Sequence, residues 1–321
     1  MNRCGDAAHR DEPGDAALTA RATAGLRAAV ALHAASEHTR RSVCIVADDC
    51  GLHPGICEAA LRLVDLGRVQ AIGCLVGGRS WAAASFALRR LPASAVDLGL
   101  HLDLTEQPLT LAPSGVGRLI AASLLRRTDA DALLRELRAQ LDAFEAAFGR
   151  GPAFVDGHRH VHQLPGVRDV LLDELTRRYA TALPWLRSTH SARAHSHPRP
   201  GWRDAAKARV IAALGARGLD AAARRGGFAQ NARLWGVYDF AAGEAAFLRR
   251  LDGWLAACGD GDLLMCHPGA TRDAGDDLID ARVGEFRVLA GAAFGAVLRD
   301  RCIDVAPMSR IVRGGRHPEP T

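Results

Sequence analysis

Lysine is almost absent from this sequence: Lys207 is the only one, and arginine carries the rest of the positive charge. The formal net charge is +5, but its arginines are scattered as pairs such as Arg40-Arg41, Arg89-Arg90 and Arg126-Arg127. Without a basic tract or a recognition motif, a nucleic-acid partner is not expected. No apolar stretch approaches the roughly 20 residues of a membrane span. Arg21 and Arg27 interrupt any signal-like apolar region near the N-terminus, so the chain reads as cytoplasmic with no transmembrane segment. The eight cysteines include no CxxC spacing. Those in Val43-Cys44-Ile45-Val46 and Leu264-Met265-Cys266 lie in apolar runs, as reduced core thiols do, and most cysteines read as inert. A Gly-rich phosphate-cradling loop is missing too, as are internal repeats and, after residue 40, low-complexity linkers.

What is present fits one sizeable α/β domain: 321 residues, 48% hydrophobic and 24% charged. From Ser42 onward, apolar runs alternate with helix-length amphipathic segments. Val43–Ala47 is apolar throughout, as a strand buried on both faces of a parallel sheet should be. Further strands are expected at 70–76, 96–104, 154–162, 185–188, 263–266 and 303–306. Helices are expected at 55–66, 81–91, 129–148, 167–179, 205–223, 242–258 and 280–298. The helix at 129–148 has a clear stop in Gly149 and Pro152. Alternating strands and helices imply a parallel sheet closed or partly closed into a β/α barrel. Residues 1–40 carry no recognisable chemistry and are expected to form a flexible extension. Residues 41–312 form the barrel-like catalytic domain in this reading, and 313–321 a tail.

Four polar clusters fall at the C-terminal ends of expected strands, where barrel enzymes assemble their sites. Asp48-Asp49 follows the first apolar strand, and Gly51 would let the chain turn so that both carboxylates aim at one centre. In Gly99-Leu100-His101-Leu102-Asp103-Leu104-Thr105, period-two alternation puts His101, Asp103 and Thr105 on one face. In Asp156-Gly157-His158-Arg159-His160-Val161-His162, an extended chain would point Asp156 and three imidazoles the same way. A metal or a substrate cleft resolves the burial cost of such a row. His267 ends the Met265-Cys266 strand and could act as a general acid. Capping, turn or core roles explain several of these clusters singly. Together they suggest one aspartate and two histidines on a divalent cation with open positions, which is a catalytic arrangement. Such a cation polarises a carbonyl and activates water while a carboxylate and an imidazole move protons, the chemistry of amide or ester hydrolysis.

These residues, in this order from about 43 to 306, resemble the YdjC-like family, which includes chitooligosaccharide deacetylases and a hopanoid-biosynthesis protein. The resemblance implies a distorted β/α barrel related to polysaccharide deacetylases, hydrolysing the N-acetyl group of an amino sugar. It further implies that Asp49, His101 and His158 bind the metal, Mg or Zn, with Asp48 as general base and His267 as acid. His160, His162, Asp156 and Arg187 are left as substrate contacts or as groups behind the ligands, a surface role for Arg187 being equally open. Cys50 stands where the family usually has phenylalanine. An oligosaccharide, glycolipid or small sugar is the expected substrate, and a homodimer remains open. Hydrolysis of a phosphoester or another amide, and sugar binding without catalysis, are the alternatives.

Overall fold

The computed structural model describes residues 40–191, 202–241 and 243–314. Of the extension expected over residues 1–40 and the tail expected over 313–321, residues 1–39 and 315–321 lie outside the described residues. From Arg41 the chain forms a single compact unit. Its elements are β1 (Arg41–Cys50), α1 (Pro54–Asp65), β2 (Ala71–Cys74), α2 (Trp81–Leu88), β3 (Asp97–Leu102), α3 (Val116–Leu124), α4 (Ala130–Phe148) and β4 (Phe154–Gly157). A 3-10 turn (His158–Gln163) follows, then α5 (Val167–Arg178), β5 (Trp185–Leu186), α6 (Trp202–Ala213), α7 (Ala216–Arg225), β6 (Leu234–Trp235) and α8 (Glu244–Ala257). The chain ends in β7 (Leu263–Cys266), α9 (Ile279–Ala290), α10 (Ala292–Asp300), β8 (Ile303–Val305) and α11 (Met308–Gly314).

All strand pairs are parallel, in the order β5-β4-β3-β2-β1-β7-β6. Parallel bridges from Leu186 to Gln230 and from Ser191 to Leu234 bring the two ends of that order together, so the sheet curls into a barrel. β8 pairs with Arg41–Val43. Arg41 N donates to the Cys302 carbonyl just before β8, and the carbonyls of Val43 and Ile45 accept from Ala306 N, just after β8, and from Gln70 N; all lie on one edge of β1, so β8 extends that edge below β2.

The side-chain period of two decides what fills this barrel. Along β1, Val43, Ile45 and Ala47 face the helices, while Cys44 and Val46 face inward with Phe154, Trp185, Leu234, Leu263 and Met265. Phe154 stacks on Trp185, ring centroids 4.4 Å apart. Below this layer, buried Asp97 accepts hydrogen bonds from Trp185 Nε1 (2.9 Å), Ser309 N (2.8 Å) and Ser309 Oγ (2.5 Å). α11 thus closes the N-terminal end of the barrel, with Met308 fully buried in the same layer.

Several expectations shift. The helix expected at 280–298 is two helices, because Gly291 is extended (ψ 152°) and serves as the end of α9 and the cap of α10. That at 205–223 likewise breaks at Leu214-Gly215. The strand expected at 154–162 stops at Gly157, since Arg159 and His160 take left-handed φ of 52° and 59°. Cys50 and Cys57 are joined in a disulfide linking the end of β1 to α1, so these two are not free thiols. Cys44, Cys74, Cys258 and Cys266 are free and buried.

Candidate functional site

One inward step above the apolar layer, the strands change chemistry. After Cys44 and Val46 comes Asp48; after Phe154 comes Asp156; after Trp185 comes Arg187; after Leu263 and Met265 comes His267; β3 contributes His101. The alternation that builds the core therefore delivers a ring of polar groups to the C-terminal mouth. β2 contributes Gly73, where a Cβ would lie 3.3 Å from both Asp48 Oδ1 and His101 Nδ1. Absence of a side chain there is what lets those two approach.

Asp49 should point away from Asp48, yet its carboxylate joins the same mouth. The turn responsible is Asp49 itself, at φ 66°, ahead of Gly51 at φ 116°, where the β1–β2 register slips between Ala47 and Cys50. Such a bulge re-aims a side chain. A non-glycine residue in the left-handed region is strained, and strain of this kind gathers at functional sites.

Three donor atoms converge at this mouth. His101 Nε2 lies 3.2 Å and His158 Nδ1 3.0 Å from the same oxygen, Asp49 Oδ1. Asp49, His101 and His158 form one candidate ion-holding group; Asp48, His101 and Asp156 form the other among the described residues. The first mixes two imidazoles with a carboxylate, a donor set suited to a divalent transition ion. Each donor is backed by a partner. Asp156 Oδ1 accepts from His101 Nδ1 (2.6 Å), Glu106 Oε2 lies 3.3 Å from His158 Nε2, and Arg282 Nη2 donates to Asp49 Oδ2 (2.7 Å). Partners of this kind fix the tautomer and orientation of metal ligands.

Arg187 is fully buried, so a surface role is overturned. Its guanidinium grips Asp48 through both oxygens (2.7 and 2.6 Å) and reaches Asp156 Oδ2 (2.5 Å). It lies beneath the mouth and ties Asp48 to the carboxylate behind His101.

The electrostatics follow from this packing. Burial disfavours ionised Asp48, but Arg187 and then His101 outweigh it and lower its pKa to about 2. Burial likewise opposes the charge on Asp49, and Arg282 and His158 hold it well below the usual carboxylate range. His101 rises well above 6.5 because Asp156 and Asp48 overcome its burial. Burial is overcome at His158 by Asp49 and Glu106, raising it to about 9. Burial wins at His267, with Arg282 and His101 adding to it against Asp48 and Asp49, and lowers it to about 4.

The block at 156–162 does not form one extended face. His158 meets Asp49, and His160, half-buried with its Nδ1 enclosed and unpartnered, is pushed well below 6.5 by desolvation and then by Arg187. His162 Nε2 bonds the Arg187 carbonyl (2.9 Å), and burial lowers it to about 4. Asp103 also leaves the expected face. β3 has ended, and its carboxylate accepts from the backbone N–H groups of Thr105, Glu106 and Gln107. Glu106, Arg282, Glu285 and Asp276 escaped sequence reasoning. Glu106 is adjacent to Thr105, so proximity to the His101 motif was a usable signal. Arg282 and Glu285 read as ordinary helix charges until burial is known.

A family model described as YdjC-like protein matches residues 42–300. A human carbohydrate deacetylase is 31% identical over 150 residues, 42% of this chain and 46% of that protein. A Serratia marcescens chitooligosaccharide deacetylase is 33% identical over 129 residues, 38% of this chain and 50% of that one. The chain thus spans about half the length of these curated relatives. A Klebsiella pneumoniae chitooligosaccharide deacetylase, 28% identical, aligns over 81% of this chain and 95% of its own. Among solved structures, a proposed cellobiose-phosphate cleavage protein from Enterococcus faecalis has the same fold. It is 19% identical, with a TM-score of 0.58 over 85% of this chain and 99% of that one.

Proposed function

Because the chain belongs to the YdjC-like family, we propose that it is a metal-dependent carbohydrate deacetylase that hydrolyses the N-acetyl group of an amino sugar. The observation that carries this reading is the convergence of Asp49, His101 and His158 on one point beside Asp48 and His267, whose Oδ2 and Nε2 are 3.9 Å apart. Asp49, His101 and His158 would hold the ion, and two imidazoles favour zinc or a similar ion over magnesium, which prefers oxygen donors. When bound, that ion supplies Lewis-acid polarisation of the acetyl carbonyl and acidifies water.

The chain's own groups then do the proton work. Asp48, ionised and fixed by Arg187, accepts a proton from the attacking water. His267 delivers a proton to the departing nitrogen. Since resting His267 is neutral at neutral pH, the proton it delivers comes from Asp48 across the short gap between them. Water adds to the acetyl carbon, the carbon–nitrogen bond breaks, and acetate and a free amino sugar result. The names of the relatives support a sugar substrate.

The test is acetate release from a panel of N-acetylated sugars, with metal-stripped protein and protein restored with zinc or magnesium side by side. Metal-dependent acetate supports the reading. A folded, metal-loaded protein that releases none from any sugar moves the assignment to another bond or to sugar binding.

His158→Ala is expected to lose bound metal and turnover together, measured as metal content after dialysis and as acetate rate. Metal retained at wild-type stoichiometry removes His158 from the ligand set. Apparent metal affinity should also depend on pH in a definite direction. The metal-free His158 has a pKa of about 9 and must shed its proton to ligate. Affinity therefore rises with pH below pH 9, about tenfold per pH unit for each proton displaced. Calorimetry in buffers of differing ionisation enthalpy counts the released protons, and zero release contradicts the assignment.

A further inference from the structure

Arg282 and Glu285 sit one turn apart on α9, so they share a helix face, and both are buried, at 3% and 2% exposure. Charged side chains are rarely buried without partners, and each of these two has one partner in the site and one beside it. Arg282 Nη2 donates to Asp49 Oδ2, the oxygen turned away from the two imidazoles. Its Nε lies 2.6 Å from Asp276 Oδ2, which His53 Nε2 also approaches at 3.1 Å. Glu285 Oε2 accepts from the backbone N–H of His267 (2.6 Å), and its Oε1 accepts from the Tyr238 hydroxyl (2.6 Å). The Arg282 carbonyl accepts from Gly269 N (3.0 Å).

We propose that α9 is the positioning element of the centre: Arg282 sets the ligating orientation of Asp49, and Glu285 sets the turn that carries His267. This rests on the reading of Asp49 as a metal ligand and His267 as the proton donor. Two physical needs are met. Asp49 stands on a left-handed backbone that leaves its carboxylate without ladder neighbours to orient it. His267 follows the last paired residue of β7, Cys266, so its N–H would be orphaned without Glu285. Arg282 adds positive charge near the ion, but that charge is shared with Asp276, and orientation outweighs repulsion. Both act through Asp49 and His267, so both are positioning residues.

The two halves predict opposite signatures. Arg282→Met is expected to raise the zinc dissociation constant roughly ten- to a hundredfold, the usual cost of losing a group behind a ligand. Glu285→Leu is expected to leave that constant within about twofold and KM unchanged, while kcat falls roughly ten- to a hundredfold. Glu285→Gln should recover most of that loss, because its oxygen accepts from His267 N–H and its amide donates to the Tyr238 oxygen. If Glu285→Leu fails to fold, Tyr238→Phe, which releases one oxygen of Glu285, should still lower kcat several-fold at unchanged zinc affinity. Zinc affinity unchanged or tightened in Arg282→Met, or equal losses of affinity and turnover in both variants, overturns the proposal. The zinc constants need no substrate, so they decide the Arg282 half even if the protein releases no acetate. The amide proton resonance of His267, moved by Glu285→Leu and restored by Glu285→Gln, decides the other half in the same way.

Discussion

Asp48→Asn is expected to lower kcat by roughly 10²–10⁴-fold, the range in which general acid–base groups act, while fold and bound metal are kept. Asparagine preserves the size and shape of the side chain, and its one remaining oxygen can still accept from Arg187. Arg187 also keeps Asp156, so the guanidinium is not stranded. Asp49, His101 and His158 are untouched, and the ion they would hold keeps its ligands. What disappears is the proposed proton acceptor, and with it the supply to a neutral His267. Turnover and metal content measured on the same preparation separate these effects. Full activity in Asp48→Asn removes Asp48 as the base.

The second large effect concerns stability. Arg187→Met is expected to cost about 3–5 kcal/mol, the typical penalty for removing one partner of a buried ion pair. Two buried carboxylates, Asp48 and Asp156, lose their shared cation. The cost should depend on pH. Asp48 in the wild type has a folded pKa of about 2, below the ordinary carboxylate value of 3.8. It therefore contributes stability that is fully present above about pH 4 and is lost as pH falls toward 2. In Arg187→Met that contribution is gone, so the gap between variant and wild type is widest near neutrality and narrows in acid. Denaturant midpoints at pH 7 and near pH 2 read the difference. A gap of equal size at both values contradicts the ion-pair account.

Much of this centre was legible in the sequence because it follows the same alternation as the core. Val43–Ala47 announces a doubly buried strand, and Asp48 continues its inward row, as His267 continues that of Leu263 and Met265. Where the backbone departs from regular strand geometry, legibility failed. The left-handed residues Asp49, Arg159 and His160 cannot be read from pattern alone, so the block at 156–162 looked extended when it turns. β6, two residues long, offers too little pattern to notice. Gly291 ends a helix that the apolar periodicity carries straight through. Arg282 and Glu285 were invisible for another reason: what draws them to the centre is contact with Asp49 and His267, and sequence spacing carries no trace of such pairings.

The seal at the lower end of the barrel has a consequence for traffic. With Ser309 bound to Asp97 and Met308 plugging the floor, and with Phe154, Trp185 and Met265 filling the middle, the centre is a cul-de-sac. Under the proposed deacetylation, and among the described residues, substrate would enter and acetate and the freed amine would leave by the mouth opposite this floor, so a product still in place would hold the next substrate outside.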